Sequence, residues 1–218
     1  LNNRLERYTW TLTRALKKFN DTIMVVGLGR CGTTLIEESI IDNHHYKRHP
    51  DYLYVDRFAD VNRYSKGYIY KTHDYPPNDL PDHVKLIFMF GNPMNIALST
   101  YNMINKWGRE HHYHLNSDLF RPNDDVIKKD TMRLNELFIE WYRPHNFSFI
   151  SIKYESLYDT ETLNSLSDFI GFSLKLFPRK KRTSDWKTSE YSEQLKATYA
   201  NLAKKIDASE PVKIWTKI

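Results

Sequence analysis

The sequence predicts an α/β fold: one domain whose central parallel sheet is flanked by helices. Three observations predict it. Short apolar runs alternate with helical patterns along the chain, the order that builds a parallel sheet. The run TIMVV at 22–26 passes directly into a glycine-rich loop and then a helical pattern. The run VKLIFMF at 84–90 is almost wholly apolar, which fits a strand covered on both faces. With 218 residues the chain suffices for one domain with a sizeable core. Neither a repeat nor a linker divides it.

The elements follow in order. Leu5, Tyr8, Leu12, Leu16 and Phe19 recur at helical spacing and predict an N-terminal helix over 1–19. A core over 22–187 follows. TIMVV is its first strand, and Thr33–Ile41 the helix after it. GYIYKTH at 67–73 is a second strand, closed by DYPP. The apolar run at 84–90 is the third, and NPMNIALSTYNMIN after it is a helix with Pro93 at its first turn. Asp130–Trp141 reads as a helix and FSFISIKY at 147–154 as a fourth strand. ETLNSLSDFIGF is an amphipathic helix stopped near Gly171, and a C-terminal helix over about 188–206 closes the chain. Residues 106–129 are polar, His-rich and irregular, as a lid, a binding loop or a disordered segment would be.

Composition narrows the function. A net charge of +5 favours anionic ligands and is too modest to single out nucleic acid. No apolar run reaches the ~20 residues of a membrane span. A single cysteine, Cys31, excludes an internal disulfide and favours a reducing, cytoplasmic setting. Aromatic residues are abundant, at 14%. They suit flat ligands, but core packing is their commoner use.

The loop carries two overlapping fingerprints. Gly27, Gly29 and Gly32 spell G-x-G-x-x-G, the dinucleotide-binding turn. Residues 27–34 spell G-x-x-x-x-G-T-T, a Walker-type loop with Thr33 where the lysine belongs. Both place backbone N–H groups and a helix N-terminus around an anion. The dinucleotide reading wants an acidic residue about 20 positions on, at a strand end. Asp51 has that spacing but follows HHYKRHP, a poor strand. The NTPase reading lacks the lysine and the aspartate that would hold Mg²⁺. A phosphatase built on Cys31 lacks its arginine. What remains is a phosphate loop with Arg30 inside it, hydroxyls at Thr33 and Thr34, and no metal site. The histidines at 44, 45, 111, 112 and 114 match no zinc spacing.

These residues resemble the sulfotransferases that use 3′-phosphoadenosine 5′-phosphosulfate (PAPS). GRCGTT at 29–34 is similar to their 5′-phosphosulfate loop, with Arg30 in the lysine position. YKTH at 70–73 resembles a Lys-Thr-His strand end of the cytosolic branch. FGNPMNIALS at 90–99 resembles the 3′-phosphate element, Phe-Arg-Asn-Pro with a later serine, here Ser99. IKYESL at 152–157 resembles Tyr-Glu-Asp-Leu, and RKKRTSDWK at 179–187 the late loop over the nucleotide. The matches keep family order from residue 27 to 187. Departures are Gly91 for the arginine that grips the 3′-phosphate, Lys181 and Ser184 for the late loop's glycines, and Leu35 for a tryptophan near the adenine.

The resemblance implies a P-loop, sulfotransferase-like architecture and metal-free, in-line sulfuryl transfer from PAPS to an acceptor hydroxyl of a small alcohol, phenol or carbohydrate. It implies 3′,5′-adenosine bisphosphate as product and neither nucleic acid nor a membrane span as partner. Lys71 and Arg30 become the cations at the leaving oxygen, and His73 the general base, since histidine accepts a proton near neutral pH. Glu37 and Glu38 are rivals for that role, against a reading as a solvated helix face. Arg30, Cys31, Gly32, Thr33 and Thr34 would hold the 5′-phosphate, Ser99 the 3′-phosphate, and Tyr154 and Trp186 would border the adenine. Arg179, Lys180 and Lys181 either compensate for Gly91 or leave affinity low. Two alternatives stay open: a degenerate binding module of the same fold, and a dinucleotide-dependent oxidoreductase.

Overall fold

The structure is a computed structural model, and it describes residues 19–44, 46–48, 58, 64–107, 125–179 and 184–218. The helix expected over 1–19 lies outside the described residues, save Phe19.

Strand β1 (Thr22–Gly27) is followed by helix α1 (Thr33–His44), a two-residue β2 (Lys47–Arg48), β3 (Tyr68–Thr72) and β4 (Val84–Phe90). Helices α2 (Pro93–Trp107) and α3 (Leu134–Trp141) lead to β5 (Phe149–Lys153). Helices α4 (Thr160–Ile170) and α5 (Ser192–Asp207) precede β6 (Val212–Trp215). The sheet has six strands in the order β2-β3-β1-β4-β5-β6. All neighbours run parallel except β6, which is antiparallel to β5. The sequence-predicted α/β fold is the observed one.

β1 is the centre of this order, and every residue of it is buried. Its register puts Val26 beside Thr72 on β3 and Gly27 beside Met89 on β4. The chain steps outward from β1 to β2, returns through β3, and crosses β1 to reach β4. In parallel sheets of this kind ligands bind outside the carboxyl ends of the strands where strand order reverses.

The abundant aromatics serve the core. Trp141, Tyr199, Phe88, Phe90 and Phe149 are among the largest fully buried side chains. Trp141 stacks on Phe88 with ring centroids 5.3 Å apart, and its indole N–H donates to the Asp74 carbonyl at 2.9 Å. That bond pins the helix-free connection between β3 and β4.

Two helix starts and two strands are the main departures from the sequence reading. α3 begins at Leu134, not Asp130. The Asp130 carboxylate instead accepts the N–H groups of Leu134 and Asn135, each at 2.9 Å, so it serves the helix end from outside, as a short acid competing with the backbone does. α5 begins at Ser192, because Trp186–Thr188 forms a separate 3₁₀ turn whose N-cap Asp185 accepts from the Lys187 N–H. The chain does not end on that helix: β6 follows and pairs with β5. HHYKRHP does contribute a strand, the short β2. α4 stops as expected, with Gly171 in the left-handed region at φ 84°.

Candidate functional site

The glycine loop leaves β1 through a crowded corner. A Cβ on Gly27 would lie 2.7 Å from Thr33 Cγ2, 2.8 Å from the Met89 carbonyl and 2.9 Å from Cys31 Sγ. Close approach, not backbone angle, therefore demands this glycine. Past it, Gly29, Arg30 and Gly32 all take positive φ, at 78°, 49° and 89°. Left-handed residues of this kind curl the backbone into anion-binding nests. The loop ends where α1 begins, and the first N–H groups of a helix have no intrahelical acceptor. Leu28 N–H and the Cys31 thiol both donate to the Met89 carbonyl, each at 3.1 Å. Cys31 is fully buried, so it braces the loop against β4 and only its backbone is placed to meet a ligand.

Around this loop the fold gathers residues from distant segments. Lys71 comes from the end of β3, and its ammonium donates to Thr34 Oγ1 at 3.0 Å. Thr33 is buried and Thr34 exposed. His73 lies one residue past β3, and its Nδ1 is 2.7 Å from the Gly27 carbonyl. A carbonyl only accepts, so Nδ1 carries the proton and Nε2 is the basic nitrogen of the neutral ring. Arg30 Nε donates to Ser99 Oγ at 3.2 Å, joining the loop to the second turn of α2. Tyr154, directly after β5, covers Gly32: a Cβ there would lie 2.6 Å from its ring.

Position 91 is occupied in another sense. A Cβ on Gly91 would stand 3.2 Å from Glu155 Oε2 and 3.2 Å from Tyr154 Cβ. Glu155 Oε1 also accepts the Asn92 N–H at 3.1 Å, so a carboxylate already sits at the N-terminus of α2, where anions are favoured.

The late loop is fastened to α2. Trp186 N–H donates to Asn95 Oδ1 at 3.1 Å, and Asn102 to Ser184 Oγ at 3.4 Å. Arg179 lies over the Tyr158 ring, 5.6 Å from its centroid. Lys180 and Lys181 fall outside the described residues, as do Asp51 and the histidines at 45, 111, 112 and 114. His44 faces elsewhere, 2.9 Å from the Ser173 carbonyl. Among the described residues no cluster of His, Cys, Asp or Glu could hold a metal ion. Among them, too, no helix is long and apolar enough to cross a membrane.

Glu37 corrects the sequence reading. It is not on a solvated face but fully buried. Its Oε1 accepts from Arg48 Nε at 2.9 Å, and its Oε2 lies 3.5 Å from the Lys71 ammonium. The signal was in the sequence: Glu37 shares the buried side of α1 with Thr33, Ile36 and Ile40, positions three and four residues apart. Glu38 does lie outside, 3.5 Å from Arg48. Arg48 itself carried no motif and was not foreseen.

No family model matches the sequence, and no curated protein matches it. Among solved structures the chain is similar to a crystal structure of mouse sulfotransferase SULT7A1 complexed with PAP. The two are 16% identical, the match covers 92% of this chain and 69% of that one, and the TM-score is 0.41. The fold assignment rests on the strand order itself, an α/β domain with a mostly parallel sheet and a glycine loop after its central strand.

Proposed function

We propose that this protein is a sulfotransferase that binds PAPS at the glycine loop and transfers its sulfuryl group to an acceptor hydroxyl. One observation carries the reading: Lys71 and His73 from one family-like segment, Ser99 from a second and Tyr154 from a third meet around the one loop that holds Arg30, Thr33 and Thr34. The donor set is cations and hydroxyls at a helix N-terminus, which fits a phosphate-rich nucleotide. The Glu155 carboxylate beside Gly91 fits a 3′-phosphate less well. The same domain is proposed to act in a reducing, cytoplasmic setting on a small alcohol, phenol or carbohydrate.

PAPS would bring an activated sulfuryl group on a phosphate leaving group. The loop N–H groups and Thr34 would bind its 5′ end. Lys71, held at Thr34, would meet negative charge as it grows on the leaving oxygen, the role a fixed cation fills best. His73 would take the acceptor's proton at Nε2, because Nδ1 is committed to Gly27. The Gly27 carbonyl thus orients the base and fixes its tautomer.

A binding-only module of the same fold is the second reading, and the Glu155 carboxylate at Gly91 is what favours it. The oxidoreductase reading loses ground because β2, the strand after α1, ends in Arg48 rather than an acid. Calorimetry with 3′,5′-adenosine bisphosphate, NAD and NADP is the test, followed by turnover of labelled PAPS. Tight binding of the bisphosphate with turnover supports the transferase. Binding without turnover leaves the module, and preference for NAD or NADP overturns both.

A further inference from the structure

We infer that Glu37 is a positioning residue of the anion site, acting through Lys71 and held in turn by Arg48. The inference rests on the proposed role of Lys71 as the cation at the transferred group. A buried carboxylate is stable only where its charge is met. Here Arg48 Nε meets Oε1 at 2.9 Å, and the Lys71 ammonium stands 3.5 Å from Oε2. The same ammonium donates to Thr34 Oγ1 at 3.0 Å. Two points therefore fix the head of a lysine whose four-carbon stem is otherwise free to sample many rotamers. Arg48 closes the arrangement from the end of β2, and its guanidinium also reaches Glu38.

Two effects of Glu37 oppose each other. Its negative charge weakens the pull of the site on an anion. Its hold on Lys71 spares the ligand the cost of ordering that side chain. The Arg48 guanidinium offsets most of the carboxylate's field, so the second effect wins. Removing Glu37 should then weaken anion binding, where a mere negative charge would strengthen it on removal.

The test is a double-mutant cycle with 3′,5′-adenosine bisphosphate as probe, on Glu37→Gln, Lys71→Met and the double variant, with folding checked by circular dichroism. Glu37→Gln should weaken binding by roughly three- to tenfold in the presence of Lys71, the cost of ordering one long side chain. In the Lys71→Met background it should leave binding unchanged or slightly tighter. An equal loss in both backgrounds, or tighter binding with Lys71 present, overturns the inference. Arg48→Lys is the second variant. Arg48 has a side-chain exposure of 44%; the lysine keeps the charge that offsets Glu37 but loses the Nε contact, and the effect of that loss should likewise vanish in the Lys71→Met background.

A ligand-free readout separates this inference from the function on which it rests. Acetylation of Lys71 by acetic anhydride, followed by mass spectrometry against Lys66 as internal reference, should rise at least roughly threefold in Glu37→Gln, since a lysine head released from its carboxylate samples more rotamers and meets the reagent more often. An unchanged relative rate overturns the inference. Raised acetylation with no nucleotide binding in any variant supports the clamp and sinks the sulfotransferase reading.

Discussion

Gly91→Arg restores the side chain that the resembled family carries at this position, and the structure sets how much it should gain. A charge-assisted phosphate contact is worth about 1.5–3 kcal/mol, or about ten- to a hundredfold in affinity. The new Cβ would enter 3.2 Å from Glu155 Oε2 and 3.2 Å from Tyr154 Cβ, a tight but yielding fit. The guanidinium would then grow out beside the Glu155 carboxylate, which is exposed. An exposed pair of this kind is worth up to about 1 kcal/mol. That competition should cut the gain for 3′,5′-adenosine bisphosphate over adenosine 5′-phosphate by about fivefold. Glu155→Gln keeps an acceptor for the Asn92 N–H and removes the charge, so Gly91→Arg in that background should show the full discrimination. Calorimetry of both nucleotides on the four proteins reads the difference. The same gain in both backgrounds refutes interception by Glu155. Equal changes for the two nucleotides in every variant refute the location of the 3′-phosphate.

Three further outcomes are expected. His73→Ala should lower sulfuryl turnover by ~10²–10⁴-fold while nucleotide affinity holds; near wild-type rates would move the base elsewhere. Gly32→Ala, at φ 89° and 2.6 Å from the Tyr154 ring, should cost about 2 kcal/mol or more and lower Tm by at least roughly 4 °C. Adding Tyr154→Ser should recover the steric part alone, and a silent Gly32→Ala would contradict the loop geometry. The His145 imidazole, stacked 5.1 Å from Phe147, is held below its usual pKa by burial, with Arg143 adding to the effect. The unfolded chain then binds the extra proton first, so stability is full above about pH 6.5 and falls as the pH drops below it. His145→Gln should flatten that acid limb in thermal melts, and an unchanged limb would assign it to other groups.

The parallel sheet was legible because TIMVV and VKLIFMF are buried on both faces, and a strand of that kind writes its environment directly into composition. The missed β6 is the opposite case. VKIW lies at the sheet edge, half exposed along its length, so neither a long apolar run nor a clean alternation marks it. α3 was drawn too long because Asp130 looks like a first-turn acid, while its carboxylate caps the helix from outside and Arg133, left-handed at φ 53°, interrupts the helix before Leu134. At the site, Lys71, His73 and Ser99 were legible as motif residues, but their partners were not. A pattern names Arg30 without saying that it meets Ser99, and it misses Arg48 altogether. Glu37 shows the limit most plainly. Its helical spacing was readable, but its two cations come from β2 and β3 and exist only once the sheet forms.

Asp74 has a consequence for how heat would undo the candidate site. Its carbonyl takes the Trp141 indole, its carboxylate takes the N–H groups of Phe58 and Tyr75, and its own N–H goes to Thr72 Oγ1. The residue before it is His73. Sites carried on independently opening loops fail before the rest of the molecule does. Here the imidazole hangs from a knot tied into the aromatic core, so its geometry persists until Trp141 leaves Phe88. Loss of the His73 geometry and cooperative melting become one event.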